Sequence, residues 1–121
     1  MVKTFLVVDD SASMRQLITF TMQDDGYDVL LAENGKDALD KLGNTKVDMV
    51  ITDLNMPDMD GIELITYLRG MPDYKFIPII MLTTEAQEEK KKQGKAAGAS
   101  GWIVKPFTPE QLRSVVKKFI K

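Results

Sequence analysis

Five short apolar runs alternate along the chain with longer segments in which apolar residues recur at helical spacing. The runs cover residues 4–8, 28–32, 48–52, 77–83 and 101–104. Three of them are apolar with little alternation, which is typical of strands that are covered on both faces. Five β–α units in succession predict an α/β fold, namely a doubly wound five-stranded parallel sheet with five helices and right-handed crossovers.

Capping residues mark several helix boundaries. Asn34 precedes the second helical segment, and Asp60 and Glu63 form a capping-box pair at the start of the third. Thr108 stands at the start of the last segment.

The fourth helical segment, residues 88–95, reads EEKKKQGK and is mostly charged. Such a run is typical of a solvent-exposed helix face, and partner binding through its lysines is the alternative interpretation.

The composition argues against several classes of protein. The chain has 121 residues, the size of one domain, so we expect a single domain over residues 1–121. The net charge of −2 argues against a general binder of nucleic acids or membrane surfaces. No apolar run approaches the roughly 20 residues of a membrane span. The absence of Cys and His removes disulfides, thiol chemistry and the commonest zinc ligand. We expect a cytoplasmic protein.

Polar and charged residues stand where four of the predicted strands end. Because the carboxyl ends of parallel strands meet at the same edge of a sheet, we expect these residues to share a pocket. Clustered carboxylates repel one another, and some of them would take up protons unless a cation compensates their charge. The residues are Asp9 and Asp10 after the first run, Asp53 after the third, Thr83 and Thr84 at the end of the fourth, and Lys105 and Pro106 after the fifth.

A hard divalent cation suits such a pocket. Mg²⁺ takes oxygen ligands in octahedral geometry and usually keeps some of its waters. We therefore predict Mg²⁺ as a cofactor held by Asp9, Asp10 and Asp53. The backbone carbonyl of Asn55 is a candidate for a further ligand. As an alternative, Asp9 or Asp10 could cap the helix that follows them.

Phosphoryl transfer is the chemistry that this set of groups supports best. An Asp side chain can act as a nucleophile and form an aspartyl-phosphate, while a metal ion and a cation balance the charge of the transferred group. Asp53 is the candidate nucleophile because it stands alone at the end of a central strand. Lys105 and Thr83 are candidates for contacts to the phosphoryl oxygens. Taken singly, Thr83 is equally an ordinary strand residue and Lys105 an ordinary surface cation.

Four segments together make the chain resemble the receiver domains of two-component response regulators. They are VVDD at 7–10, ITDLNMPDMDG at 51–61, Thr83 after IIML, and KPF at 105–107, and they span the chain in the family's order. The segment AAGASGWIVKPFT at 96–108 is similar to the stand-alone chemotaxis members. The resemblance implies a flavodoxin-like strand order of 2-1-3-4-5, for which a chemotaxis member is the standard example.

The resemblance also implies a role for each residue of the predicted pocket. The phosphoryl donor would be a phosphohistidine on a partner histidine kinase, and the protein would catalyse only its own phosphorylation and dephosphorylation. It would therefore be a phosphoacceptor regulatory protein rather than an enzyme. In this interpretation Asp53 is the phosphoacceptor, Asp10, Asp53 and the Asn55 carbonyl hold Mg²⁺ with help from Asp9, and Thr83 and Lys105 contact the phosphoryl group.

Trp102 occupies a position where chemotaxis receivers usually carry Tyr or Phe. The family mechanism couples this ring to Thr83: phosphorylation draws the hydroxyl inward, and the ring follows. Trp is bulkier, so an inward swing into a packed site is costlier. We expect Trp102 to be a switch residue whose motion departs from the usual one. The resemblance further implies a cis peptide bond between Lys105 and Pro106.

The output is expected to pass through a protein partner, because the chain ends directly after its last helical segment. The expected partner is a downstream target such as a flagellar motor switch component, and neither nucleic acid nor a membrane is expected. The protein itself is expected to be a monomer. The expected surface comprises the fourth helix, the fifth strand and the fifth helix, with Lys90, Lys92, Trp102 and Lys118 as its residues.

Three alternatives remain at this stage. The first is a stand-alone receiver in a phosphorelay unrelated to chemotaxis. The second is an aspartyl-phosphate phosphatase of the haloacid-dehalogenase type, which would need a second Asp two residues after the nucleophile, where this chain has Asn55. The third is a degenerate receiver that acts as a phosphate-independent interaction module.

Overall fold

The computed structural model describes residues 2–56 and 59–120. The described residues form five strands, five α-helices and two short 3₁₀ helices. Pro57 and Asp58 of the ITDLNMPDMDG segment lie outside the described residues. The strands are β1 (Thr4–Val8), β2 (Asp28–Ala32), β3 (Met49–Asp53), β4 (Ile79–Thr83) and β5 (Gly101–Val104). The helices are α1 (Ala12–Asp24), α2 (Gly35–Leu42), α3 (Gly61–Arg69), α4 (Glu88–Ala97) and α5 (Pro109–Phe119), and the 3₁₀ helices are Pro72–Tyr74 and Glu85–Gln87.

The five strands form one parallel sheet in the order β2-β1-β3-β4-β5. The predicted fold class and strand order are therefore confirmed. β3 begins and ends one residue later than predicted, so Asp53 belongs to the strand itself. β4 begins two residues later than predicted, at Ile79. Pro78 has no N–H to donate, and the Ile77 carbonyl accepts a hydrogen bond from Arg69 Nη1 at 2.7 Å instead of pairing with a strand.

Two hydrophobic clusters cover the two faces of the sheet. Leu6 and Val8 of β1 face one cluster, which includes side chains of α2 and α3. Phe5 and Val7 face the other, which includes side chains of α1 and α5. Because both faces are covered, most residues of the central strands are apolar whichever face they point to, and this explains the weak alternation in the sequence.

Side-chain caps begin four of the helices. Ser11 is the N-cap of α1 and accepts a hydrogen bond from Met14 N, so the capping role proposed for Asp9 or Asp10 falls to Ser11. Asn34 caps α2. Asp60 and Thr108 begin α3 and α5 with complete capping boxes. These caps place the helix starts directly after the loops that leave the carboxyl edge of the sheet.

Helix α4 packs against the sheet with little apolar surface. Its ten residues are all described, and Gly94 is the one that is buried. A Cβ atom at Gly94 would lie 2.1 Å from Met81 Sδ, so the helix backbone approaches β4 closely at this position. The rest of α4 consists mainly of charged side chains and Ala. Few side chains of α4 are therefore buried against the sheet. No helix in the described part of the chain has both the length and the apolar character needed to cross a membrane.

Candidate functional site

Three carboxylates gather at the carboxyl edge of the sheet. Asp53 is the last residue of β3, and Asp9 and Asp10 directly follow β1, the neighbouring strand. The pairing of Val8 with Thr52 brings Asp9 alongside Asp53. One side-chain oxygen from each of the three acids lies within 4.8 Å of the others. The parallel arrangement thus brings together groups that are more than forty positions apart in the chain.

Asp9 is completely buried, and both of its carboxylate oxygens accept hydrogen bonds. Oδ1 accepts from the backbone N–H of Ser11 at 2.9 Å, and Oδ2 accepts from Lys105 Nζ at 2.9 Å. Arg15, which the sequence analysis did not single out, holds the backbone carbonyl of Asp9 at 2.6 Å. Asp10, in contrast, is exposed. Asp9 is thus a fixed element of the pocket wall, whereas Asp10 faces its opening.

Lys105 connects two of the acids. Its Nζ lies 2.9 Å from Asp9 Oδ2 and 3.4 Å from Asp53 Oδ2. It follows β5, its backbone N–H donates to the Thr83 carbonyl at 2.6 Å, and the Lys105–Pro106 peptide bond is cis. Burial by itself would lower the pKa of the Lys105 amine. The hydrogen bond to Asp9 and the charges of Asp53 and Asp9 outweigh burial and raise this pKa above its ordinary value.

Asp53 combines burial with two distinct oxygen environments. It is 7% exposed, and its Oδ1 accepts hydrogen bonds from the backbone N–H groups of Leu54 at 2.8 Å and Asn55 at 3.4 Å. Oδ2 faces the Lys105 ammonium. Burial raises the pKa of the Asp53 carboxyl above its ordinary value, and Asp9 adds to the rise, although Lys105 opposes it. The pocket therefore holds more negative charge than its single Lys compensates.

Thr83 carries a buried hydroxyl group. The residue is 1% exposed, and its Oγ1 has no hydrogen-bond partner among the described residues. It stands at the end of β4, one residue beyond the pairing of Asp53 with Leu82. A buried polar group without a partner typically costs about 1–3 kcal/mol, so this hydroxyl is suited to a hydrogen bond with a bound oxygen.

Asn55 and Gly61 shape the loop that follows Asp53. Asn55 is exposed, and its side-chain oxygen accepts a hydrogen bond from Lys90 Nζ of α4. A Cβ atom at Gly61 would lie 2.2 Å from the backbone oxygen of Asp53, so the start of α3 requires a glycine here. The sequence analysis placed Lys90 on a partner surface, and the structure places its amine beside the loop of the site. The glycine in MPDMDG was visible in the sequence, but its close approach to Asp53 was not.

Trp102 lies on β5 and is 38% exposed. Lys91 Nζ and Lys95 Nζ of α4 lie 4.7 Å and 4.8 Å from its ring centroid. The ring borders a groove of about 470 Å³ between β5 and α5 and shares a smaller neighbouring cleft with Lys118. Lys92 is exposed on α4. Of the residues predicted for the partner surface, Trp102 and Lys118 therefore border one cleft, whereas Lys90 turns towards Asn55.

The donor set of the pocket is compatible with a hard cation. Within the described residues, the clustered groups that could act as ligands are carboxylate oxygens, with no softer donor among them. Oxygen donors and an excess of negative charge are what Mg²⁺ sites provide. Asp10 is exposed and Asp53 is slightly exposed, whereas Asp9 is completely buried and both of its oxygens are already bonded.

Comparisons with known proteins agree with the fold and with the arrangement of the pocket. The sequence pattern of the response regulator receiver domain matches residues 5–117. The chain is 46% identical over 110 residues to the chemotaxis protein CheY1 of Helicobacter pylori, covering 89% of each chain. It is also 46% identical to a chemotaxis protein CheY homolog of Campylobacter jejuni, covering 89% of this chain and 85% of that protein. The solved structure of the chemotaxis response regulator CheY4 of Vibrio cholerae superposes with a TM-score of 0.93 at 47% identity, covering 99% of this chain and 100% of that one. The carboxylate pocket at the edge of a 2-1-3-4-5 sheet and these similarities lead to one conclusion: the chain belongs to the response regulator receiver domain family.

Proposed function

We propose that this protein is a phosphorylation-activated signalling switch of chemotaxis, in which Asp53 accepts a phosphoryl group from a partner histidine kinase. The observation that carries the proposal is the pocket itself, in which a buried carboxylate, a Lys ammonium and a free Thr hydroxyl share one edge of the sheet. Similarity to chemotaxis proteins over 89% of the chain supports the biological context. Receiver domains of this kind are regulatory proteins.

In the proposed reaction, an oxygen of Asp53 attacks the phosphorus atom of the donor phosphohistidine. A phosphorus–oxygen bond forms while the phosphorus–nitrogen bond breaks, and the leaving imidazole keeps the bonding electron pair and takes up a proton. Lys105, 3.4 Å from Asp53 Oδ2, is placed to balance negative charge on the transferred group. Thr83 can donate its hydroxyl hydrogen to a phosphoryl oxygen, which would satisfy a group that has no hydrogen-bond partner among residues 2–56 and 59–120.

Mg²⁺ is the cofactor that we propose for this site. When bound, it would supply charge neutralisation between the carboxylates and the transferred group. Asp10 and Asp53 would hold it with their carboxylate oxygens, and Asn55 with its backbone carbonyl. Asp9 would contribute indirectly, because its two oxygens already accept hydrogen bonds from Ser11 and Lys105.

We propose that the phosphoryl group acts by a population shift. It adds about −1.5 to −2 charges at neutral pH, and it favours whichever conformation binds that charge better. Thr83 and Trp102 are the proposed switch residues. The proposed output surface comprises the groove beside Trp102, the neighbouring cleft that Lys118 borders, and the exposed Lys92 of α4. The proposed partner is a downstream target protein such as a motor switch component.

The phosphatase alternative has no support in the site. Position 55 carries an amide rather than a second carboxylate, and its side-chain oxygen is engaged by Lys90.

We propose that residues 1–121 form one receiver domain with Asp53 as its phosphoacceptor, in agreement with the matched residues 5–117.

The proposal is tested by phosphorylation with acetyl phosphate in the presence of Mg²⁺, with phosphate incorporation measured by intact-protein mass spectrometry. We expect the wild type and Asp73→Asn to incorporate one phosphoryl group and Asp53→Asn to incorporate none, since an amide cannot form an acyl phosphate. Asp73 is a suitable control because its carboxylate is exposed and far from the site. Normal incorporation in Asp53→Asn would show that the phosphoacceptor is another residue.

A further inference from the structure

Helix α4 contacts both the loop of the proposed phosphorylation site and the ring of Trp102 through neighbouring lysines. Lys90 reaches the loop after β3, whereas Lys91 and Lys95 lie over the ring of Trp102. α4 has one buried residue, Gly94, so few apolar contacts hold the helix in place. Its position therefore responds readily to changes in its polar contacts.

The contact of Lys90 forms a short chain to the phosphoacceptor. The Lys90 ammonium donates to the side-chain oxygen of Asn55, and the backbone N–H of Asn55 donates to Asp53 Oδ1 at 3.4 Å. Among the described residues, Lys105 and Lys90 are the two lysines whose amines bond to residues of the pocket or its loop. Lys105 is already paired with two carboxylates, so Lys90 is the cation that remains available to respond to added negative charge.

The contacts of Trp102 lie at the other end of the same path. Two ammonium groups within 5 Å of one indole ring form cation–π interactions with it. Lys91 also pairs with Glu88 at 3.1 Å. Lys90 directly precedes Lys91 in the helix, and Lys95 lies one helical turn after Lys91. A movement of the helix that shifts Lys90 therefore also shifts the two ammonium groups beside the ring.

We infer that Lys90 is a positioning residue of the phosphorylation site, which acts through Asn55 and transmits the state of Asp53 to Trp102 by way of α4. The inference rests on the proposed function of Asp53 and specifies how its signal leaves the site. It does not require Trp102 to swing into the interior, because the ring responds to the lysines above it.

The experiment titrates the protein with beryllofluoride in the presence of Mg²⁺ and follows the fluorescence of Trp102, the single Trp of the chain. The variants are Lys90→Gln, the conservative Lys90→Arg, and Lys46→Gln as the control, since Lys46 is an exposed lysine outside α4 that pairs with Asp73. We expect wild type and Lys46→Gln to show the same amplitude and midpoint. In Lys90→Gln the amplitude at saturation should fall clearly, and the midpoint should rise about two- to fivefold, as expected for losing one exposed contact of a charged group. Lys90→Arg should restore both.

A second arm tests whether Lys90 acts through Asn55. In an Asn55→Ala background, which keeps the backbone carbonyl, Lys90→Gln should have little further effect on the amplitude, because residues of one interaction chain are not additive. Urea unfolding of each variant shows that the fold is retained, and a purely structural role would shift the urea midpoint without changing the amplitude.

The outcomes separate the inference from the function on which it rests. If the wild type gives no response to beryllofluoride and no phosphate incorporation, the proposed function fails and the inference with it. If the wild type responds and Lys90→Gln keeps the amplitude of Lys46→Gln, the inference alone is overturned. It is also overturned if the effect of Lys90→Gln persists undiminished in the Asn55→Ala background.

Discussion

At the scale of single residues, the folded structure disfavours the charged form of the Asp53 carboxyl. Burial raises its pKa, so the folded protein holds the Asp53 proton more tightly than the unfolded chain does. Stability from this group is therefore present at low pH and is lost as the pH rises from about 4 through the raised pKa. We expect Asp53→Asn to be more stable than wild type at pH 7 without metal, by on the order of 1 kcal/mol. The difference should vanish below pH 4. Urea midpoints at both pH values in EDTA measure it, and a less stable Asp53→Asn at pH 7 would contradict the assignment of Asp53 as a strained carboxylate.

At the scale of elements, the start of α3 is pressed against the end of β3. Replacing a helical Gly by Ala normally stabilises a helix by up to about 1 kcal/mol, but a Cβ atom at Gly61 would lie 2.2 Å from the Asp53 carbonyl oxygen. We expect Gly61→Ala to destabilise the protein by about 1–3 kcal/mol and to slow phosphorylation, because the backbone that carries Asp53 must shift. Gly70→Ala is the control, since its nearest contact would be an ordinary 3.5 Å. Equal urea midpoints for the two variants would disprove the tight approach.

At the scale of the whole molecule, the pocket exists only when β1 and β3 are paired. Asp10 and Asp53 are distant in the unfolded chain, so an ion that needs both binds the folded state selectively and stabilises it by mass action. We expect Mg²⁺ at 100 times its Kd to raise the free energy of unfolding of wild type by about 2.7 kcal/mol, and with it the unfolding midpoint. The effect on Asp10→Asn should be much smaller. Asp73→Asn should respond as wild type does. A thermal melt series at increasing Mg²⁺ concentration measures this, and an equal response in Asp10→Asn would remove that residue from the ligand set.

The sequence by itself determined the sheet and the approximate membership of the pocket. Apolar runs that do not alternate require covering on both faces, and parallel strands place their carboxyl ends at one edge, so the meeting of Asp9, Asp53 and Lys105 followed from the order of elements alone. The late start of β4 was missed, because the effect of Pro78 on strand pairing depends on where the Ile77 carbonyl finds its donor.

The tertiary structure alone decided how the groups of the pocket divide their contacts. Both oxygens of Asp9 accept hydrogen bonds, from Ser11 and Lys105, and the Thr83 hydroxyl has no partner in the part of the chain that the structure describes. Lys90 turns to Asn55, while Lys91 and Lys95 lie over the ring of Trp102. The physical reason is that α4 is mostly charged and has no apolar stripe that would fix which way its long side chains point. Its partner depends on how the helix is rotated and placed on the sheet, and in α4 the close approach at Gly94 sets that placement.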